Sequence, residues 1–205
     1  MAPSGKSPLT FSSPPPSRYQ IPARRADTLD EILFATPNVV AAHFRCAVSN
    51  PRFRDSGPAR HFLVTFPRTA VWIKYAGSGT FVADPTISTI YNRGQEYTRA
   101  PLSNDGDRCD WLAVSPEVAV EIAESYDRTA ADNPDRAFGR QKAYIDGDLY
   151  LAQRRFFSGL GRGGCDPLQT EEKIIWFVTE VLRRAYGANG MAKVAGPLMS
   201  SSNQA

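Results

Sequence analysis

The middle of the chain alternates between apolar and polar positions with a period of two, the pattern of half-buried β-strands. In residues 69–75, for example, Val71, Ile73 and Tyr75 share one face and Lys74 lies on the other. Turn-forming Gly, Asn, Asp and Pro residues separate such segments. Short strands this closely spaced predict an antiparallel barrel or sandwich. The predicted strands are Val39–Cys46, His61–Phe66, Thr69–Tyr75, Thr80–Ala83, Thr86–Tyr91, Gln95–Arg99 and Cys109–Val114.

After residue 114 the apolar period lengthens to that of helices. Ser115 can cap a helix whose first position is Pro116, whereas residues 127–145 read as a loop. The predicted helices are 116–125, 146–160 and a third that begins at Asp166-Pro167 or at Thr170 and runs to Tyr186, ended by Gly187. The fold class predicted is therefore α+β, an antiparallel β-barrel or sandwich followed by three C-terminal helices.

The two ends of the chain differ in composition from the middle. Residues 1–26 hold six prolines and five serines, too little apolar surface to offset the entropy of ordering. A short helix capped by Asp27 or Thr28 is expected after them. The organisation predicted is a mostly disordered tail over 1–36, the β-barrel over 37–114, a helical segment over 115–187 and a second disordered tail over 188–205.

Composition and charge narrow the class of protein. The chain is 42% hydrophobic and 22% charged, without the apolar run of about 20 residues that a membrane span needs. With no apolar leader at its start, we expect a soluble cytoplasmic protein and no membrane partner. The net charge is only +3, and no basic cluster indicates nucleic-acid binding. A group of arginines could line an anion site or belong to a mixed polar surface, namely Arg45, Arg52, Arg54, Arg60 and Arg68.

Catalytic chemistry has little support in the sequence. The three cysteines are widely spaced, and we expect Cys46 and Cys109 to be free buried thiols. The two histidines, His43 and His61, fall on separate predicted strands, where packing or surface roles are expected. No phosphate-binding loop, nucleophile elbow or dinucleotide fingerprint is present. We therefore expect no catalytic residue, no metal, no cofactor and no enzyme activity.

Four short runs in a fixed order carry a resemblance to a known family. They are Phe81–Pro85, Tyr91–Tyr97, Gly106–Cys109 and Leu112–Val118. Together they resemble the cupin-like N-terminal sensing domain of AraC-family transcription regulators. The resemblance covers about residues 37–187 and implies a domain that binds a small-molecule effector and forms a homodimer. Asp107 and Arg108, within these runs, are expected to form a salt bridge that pins a loop.

Aromatic residues on the predicted strands are the candidates for the effector site. A small barrel can enclose one ligand among apolar walls with a few polar groups. We name Arg45, Trp72, Tyr91 and Trp111 as the ligand-binding residues. Ordinary core packing is the alternative for each aromatic residue.

The third helix carries a stripe suited to pairing with another helix. Its members are Ile174, Val178, Val181 and Leu182. The resemblance implies that this stripe forms a dimer interface. The alternative, which the sequence leaves open, is that the stripe packs on its own barrel.

One departure from the family changes what can be expected. Its members carry a C-terminal DNA-binding domain with two helix-turn-helix units, and residues 187–205 are too few for them. DNA binding is thus expected only through a helix-turn-helix domain that this sequence lacks. The alternative function is a cupin-like small-molecule-binding protein or enzyme unrelated to transcription.

Overall fold

The computed structural model describes residues 29–55, 57–162 and 166–192, with side chains as far as residue 187. Within these ranges all strand pairs are antiparallel. The strands are β1 (Asp30–Ala35), β2 (Val39–Cys46), β3 (Phe62–Pro67), β4 (Val71–Tyr75), β5 (Thr80–Ala83), β6 (Ile87–Tyr91), β7 (Tyr97–Pro101), β8 (Asp107–Val114) and β9 (Lys142–Tyr144).

The strands form two sheets. The large sheet has six strands in the order β1-β2-β8-β3-β6-β9, and the small sheet has three in the order β5-β4-β7. The predicted α+β class, a sandwich with trailing helices, is confirmed, and the two sheets do not close into a barrel. Each strand predicted from alternation is present, within a few residues of its expected bounds.

The helix predicted after Asp27 is wrong, because residues 30–35 form β1 along the edge of β2. A register shift between Ile32 and Phe34 lets two consecutive residues of β1 place their side chains on the same face of the sheet. Ile32 packs on one face, while Leu33 and Phe34 pack on the other. Strand pairing here overrides a helix-like spacing of apolar residues. The sheet thus begins within the predicted 1–36 tail, of which residues 1–28 lie outside the described ranges.

Three α-helices follow, α1 (Pro116–Glu124), α2 (Gly147–Leu160) and α3 (Pro167–Ala192). Side-chain caps begin the first two, since Ser115 accepts a hydrogen bond from the Val118 N–H and Asp146 accepts one from the Leu149 N–H. The end predicted for α3 at Gly187 is wrong, because the helix continues to Ala192. Glycine lowers helix propensity without forcing a stop. Residues 193–205 lie outside the described ranges.

The predicted loop over 127–145 contains two short 3-10 helices and β9. β9 pairs with β6 and is too short to show a period in the sequence. The helices pack on one face of the large sheet, and the main core lies between the helices and that face. No helix in the described part of the chain is long and apolar enough to span a bilayer.

Candidate functional site

The two faces of the large sheet have different neighbours, and the candidate site lies on one of these faces. We call the face that packs on the helices the helix face and the opposite face, part of which is covered by the small sheet, the inner face. Side chains alternate between these faces along each strand. On β8, Leu112 joins the core under the helices, whereas Trp111 and Cys109 lie on the inner face.

The inner face carries apolar side chains that are only partly covered. Phe44 and Leu63 are half-buried there and contact both inner-face clusters, one around Trp111 and one between the sheets. Tyr97 is also half-buried and lies 4.7 Å from Tyr91, ring centroid to centroid. We call the group Phe44, Leu63, Tyr91, Tyr97, Arg99 and Trp111 the inner-face site.

A buried ion pair lies at the base of this site. The Arg99 guanidinium donates to the Asp107 carboxylate, and their side chains are 2% and 8% exposed. Arg99 Nη2 also donates to the Arg52 carbonyl at 3.1 Å, and its guanidinium lies 4.7 Å from the Phe44 ring centroid. Burial raises the pKa of Asp107, while the charge on Arg99 acts against that rise. The site thus combines apolar walls with a fixed pair of opposite charges.

Other polar groups on the inner face are held by hydrogen bonds. Trp111 Nε1 donates to Asp30 Oδ1 at 2.8 Å, which ties β8 to β1. The hydroxyls of Thr65 and Thr89 lie 2.5 Å apart. Burial raises the pKa of Tyr91 well above its usual range, so its phenol stays protonated.

The structure brings together two of the four predicted ligand residues. Tyr91 and Trp111 both lie on the inner face. Trp72 points away from it, on the outside of the small sheet, and is 38% exposed. Arg45 pairs with Arg108 on the helix face of the large sheet. Tyr91 and Trp111 thus share the inner face, in neighbouring clusters, and neither Trp72 nor Arg45 shares it with them.

The Arg99–Asp107 pair is not predicted from the sequence. The salt bridge expected between Asp107 and Arg108 is wrong, because neighbouring residues on a strand point to opposite faces, and Asp107 binds Arg99 instead. The sequence does contain one indication of where Arg99 lies. Arg99 is two residues after Tyr97 on the same strand, so the two side chains share a face. Cys46 and Cys109 are free and buried, as expected, and Cys165 lies outside the described ranges.

The apolar stripe of α3 packs within its own chain. Ile174, Val178, Val181 and Leu182 are each 0% exposed, in one cluster with residues of the large sheet and the other helices. This is the second of the two alternatives that the sequence left open. Among the described side chains of α3, the large apolar residues that are exposed are different ones, Leu168 and Trp176, of which Trp176 is 39% exposed.

Metal-ligating side chains do not cluster in the described part of the chain, where no group of three or more His, Cys, Asp or Glu residues could hold an ion. His43 and His61 lie apart. His43 packs on Phe157 and binds Asp110, whereas His61 stacks on Trp111.

Fold and site together define a two-sheet α+β domain with an apolar, ion-paired inner face and a helical cover. Neither a family model nor a curated protein matches the sequence. Among solved structures, the chain is similar to ToxT from Vibrio cholerae, at 5% identity and a TM-score of 0.48 over 82% of this chain and 60% of that one. It is also similar to the AraC-like transcriptional activator CuxR, at 15% identity and a TM-score of 0.43 over 80% of this chain and 54% of that one.

Cupin proteins match a smaller part of the chain. An RmlC-like cupin protein from Methanocaldococcus jannaschii covers 48% of this chain and 92% of its own, with 5% identity and a TM-score of 0.35. The chain thus spans between about half and 60% of the two larger proteins and nearly all of this small cupin.

Proposed function

We propose that the chain is the ligand-sensing domain of an AraC-type transcription regulator and that it acts by binding, without catalysis. The family assignment is supported by the four ordered sequence runs between Phe81 and Val118. The observation that carries the binding role is the Arg99–Asp107 pair, buried at the base of half-exposed aromatic and apolar side chains.

A buried ion pair of this kind needs a reason beyond stability. Two charges taken out of water cost several kcal/mol each, and their attraction repays this cost only in part. Apolar residues of similar volume would stabilise the same place as well or better. A fixed donor and acceptor next to apolar walls is what a site needs to orient a small polar molecule.

The chemistry of the inner face supports binding more than catalysis. Its thiol, Cys109, is buried, and burial raises the Cys109 pKa well above its usual range. A thiol in that state is a poor nucleophile. Tyr91, also held protonated, can donate a hydrogen bond but cannot act as a base near neutral pH.

The sensing domain is further proposed to form a homodimer. Because the Ile174 stripe is covered by its own chain, the dimer contact would use the exposed side of α3 around Leu168 and Trp176. Recognition of DNA would belong to a helix-turn-helix domain outside this sequence.

Tryptophan fluorescence tests the ligand site directly, because the chain offers a matched pair of tryptophans. Trp111 lies on the inner face and Trp72 on the outside of the small sheet. A panel of small aromatic, carboxylate and sugar compounds would be titrated into Trp72→Phe and Trp111→Phe proteins. A ligand of the inner face should change the emission of Trp72→Phe and leave the emission of Trp111→Phe nearly unchanged.

The proposal fails if every compound that binds gives the same change in both proteins, or if binding survives Leu63→Arg, which places a charged side chain in the inner-face site. Circular dichroism of each variant confirms that its fold is retained.

A further inference from the structure

Two arginines face each other across the helix face of the large sheet. Arg45 on β2 is the direct cross-strand partner of Arg108 on β8, and both are exposed. Like charges placed directly opposite one another destabilise a strand pair. Neither guanidinium has a carboxylate within 4 Å in the described ranges. The arrangement therefore carries an electrostatic cost that no ion pair in the described ranges offsets.

A third arginine is fixed beside this pair by the backbone. The Arg68 N–H donates to the Arg108 carbonyl at 2.7 Å, and the Arg108 N–H donates to Thr69 Oγ1 at 2.8 Å. Gly106, with a φ of 75°, lets β8 begin this close to β2, since a Cβ there would meet the Cys46 carbonyl. The 68–69 segment and the start of β8 are thus held together as one unit.

Asp110 lies next to the same region, where it contacts His43 and Arg68. This carboxylate is fully buried and lies 2.6 Å from His43 Nδ1 and 2.6 Å from Gln153 Nε2. It also contacts Arg68 Nη1 at 3.4 Å and Arg154 Nη1 at 3.3 Å. Because one carboxylate is shared by two arginines, their positive charge is only partly neutralised.

A cavity of about 230 Å³ lies beside the Arg45–Arg108 pair. It is lined by His43, Phe44, Arg45, Arg68, Thr69, Arg108 and Cys109. Three of the seven lining residues are arginines and none of the seven is acidic, so the cavity carries an excess of positive charge with His43 counted as neutral. The cavity is smaller than the sites that hold drug-sized ligands.

We propose that this cavity binds the phosphate group of a small phosphorylated molecule. Planar guanidinium groups match phosphate oxygens with paired hydrogen bonds, and a doubly charged anion fits the excess of positive charge better than a carboxylate does. Arg45 and Arg108 lie on the opposite face of the large sheet from the inner-face site, although Phe44 lines the cavity and also belongs to that site. Arg45→Gln and Arg108→Gln leave every side chain of the inner-face site in place, so a failure of this proposal can be distinguished from a failure of the proposed sensing function.

Calorimetry with inorganic phosphate tests the proposal on the whole chain. Phosphate would be titrated against protein at constant ionic strength, with acetate and chloride as comparison anions and glycerol phosphate as a small phosphomonoester. We expect saturable binding of phosphate and glycerol phosphate and at least tenfold weaker binding of acetate. Arg45→Gln and Arg108→Gln should each weaken phosphate binding by about tenfold or more, the scale of one charged hydrogen bond.

A second readout separates a binding site from a purely structural role. Removing either arginine relieves the cross-strand repulsion, so the thermal midpoint without phosphate should stay equal or rise while the shift caused by phosphate is lost. Arg128→Gln, an exposed arginine distant in sequence on a 3-10 helix, is the matched control and should keep the full response.

Three outcomes would overturn the proposal. They are the absence of saturable phosphate binding, binding that persists in the Arg45→Gln/Arg108→Gln double variant, and an equal loss in Arg128→Gln, which would indicate general charge screening. Tight binding of a short DNA duplex with no competition from inorganic phosphate would also overturn it, because the basic face would then serve a nucleic acid.

Discussion

Individual charged residues explain why the inner face is more than a core. Arg99 and Asp107 are buried together, each compensating the other. The pair places two opposite charges among the apolar side chains of that face, so replacing one partner should cost more than replacing both.

Removing one partner of the pair should destabilise the protein strongly. Arg99→Met or Asp107→Leu alone leaves an uncompensated buried charge, and we expect the free energy of unfolding to fall by about 3–5 kcal/mol. The double replacement removes both charges and should recover most of that loss. Urea unfolding of the three variants measures the effect.

The same double variant separates stability from function. If the pair serves a ligand, the double variant should fold well and lose the fluorescence response of the inner-face site. Recovery of stability together with retained ligand response would contradict the role assigned to the pair.

Asp146 connects two helices through one side chain. It caps α2 by accepting from the Leu149 N–H, and it binds Arg184 of α3 at 2.6 Å. The hydrogen bond from the Leu149 N–H has the largest effect and the contact with Arg184 adds to it, and together they lower the pKa of Asp146 below its ordinary value of 3.8. Its contribution to stability is therefore complete above about pH 4 and is lost as the pH falls through the lower folded-state pKa.

Asp146→Asn and Asp146→Ala should separate the two contacts. Asparagine can still cap the helix but cannot pair with Arg184, whereas alanine loses both contacts and should cost about 1 kcal/mol for the cap alone. Thermal unfolding between pH 2 and 7 should show the wild type and the asparagine variant converging at the acid end. A difference independent of pH would show that the charge on Asp146 does not matter.

At the scale of elements, α3 presents two apolar surfaces with different roles. Leu182 lies fully buried against the chain's own core, whereas Trp176 is exposed beside Lys173, whose Nζ lies 3.9 Å from its ring centroid. A substitution on the buried stripe acts on folding, whereas one on the exposed side can act on association without unfolding the domain.

Leu182→Ala should therefore affect stability, whereas Trp176→Ala should affect association. Leu182→Ala removes a buried side chain and should lower the free energy of unfolding by about 2–5 kcal/mol. Trp176→Ala should change stability little and weaken the proposed homodimer. Light scattering over a dilution series measures the association, and chemical unfolding measures the stability.

A wild-type chain that stays monomeric at every concentration would contradict the proposed homodimer. A dimer unaffected by Trp176→Ala would place the contact on another surface.

At the scale of the whole molecule, the large sheet separates two regions of unlike chemistry. The inner face offers apolar walls with one ion pair, whereas the helix face ends in a cationic cavity beyond the helical core. The two regions are formed mainly by side chains of opposite strand parity, although Phe44 belongs to both.

Much of the fold could be predicted from local sequence patterns. The alternation in residues 69–75 and the cap at Ser115 each depend on near neighbours, and both predicted elements are present. β1 and β9 were not predicted, since β1 forms by pairing with β2, and β9 is a short partner of β6. Strands that owe their existence to a partner leave little trace in their own period.

Which of the predicted ligand residues share a face was predictable only in part, for a related reason. Alternation already placed Trp72 and Val71 on opposite faces, but it could not tell which of the strand's two faces would be covered by the other sheet. The sequence by itself determined the order of strands and helices and the set of side chains that share a face, because these follow from the 2-residue and 3.6-residue periods. Only the tertiary structure decided which faces meet. It buried the α3 stripe, paired Arg99 with Asp107 and set Arg45 beside Arg108, because these contacts join segments far apart in the chain whose register no local pattern specifies.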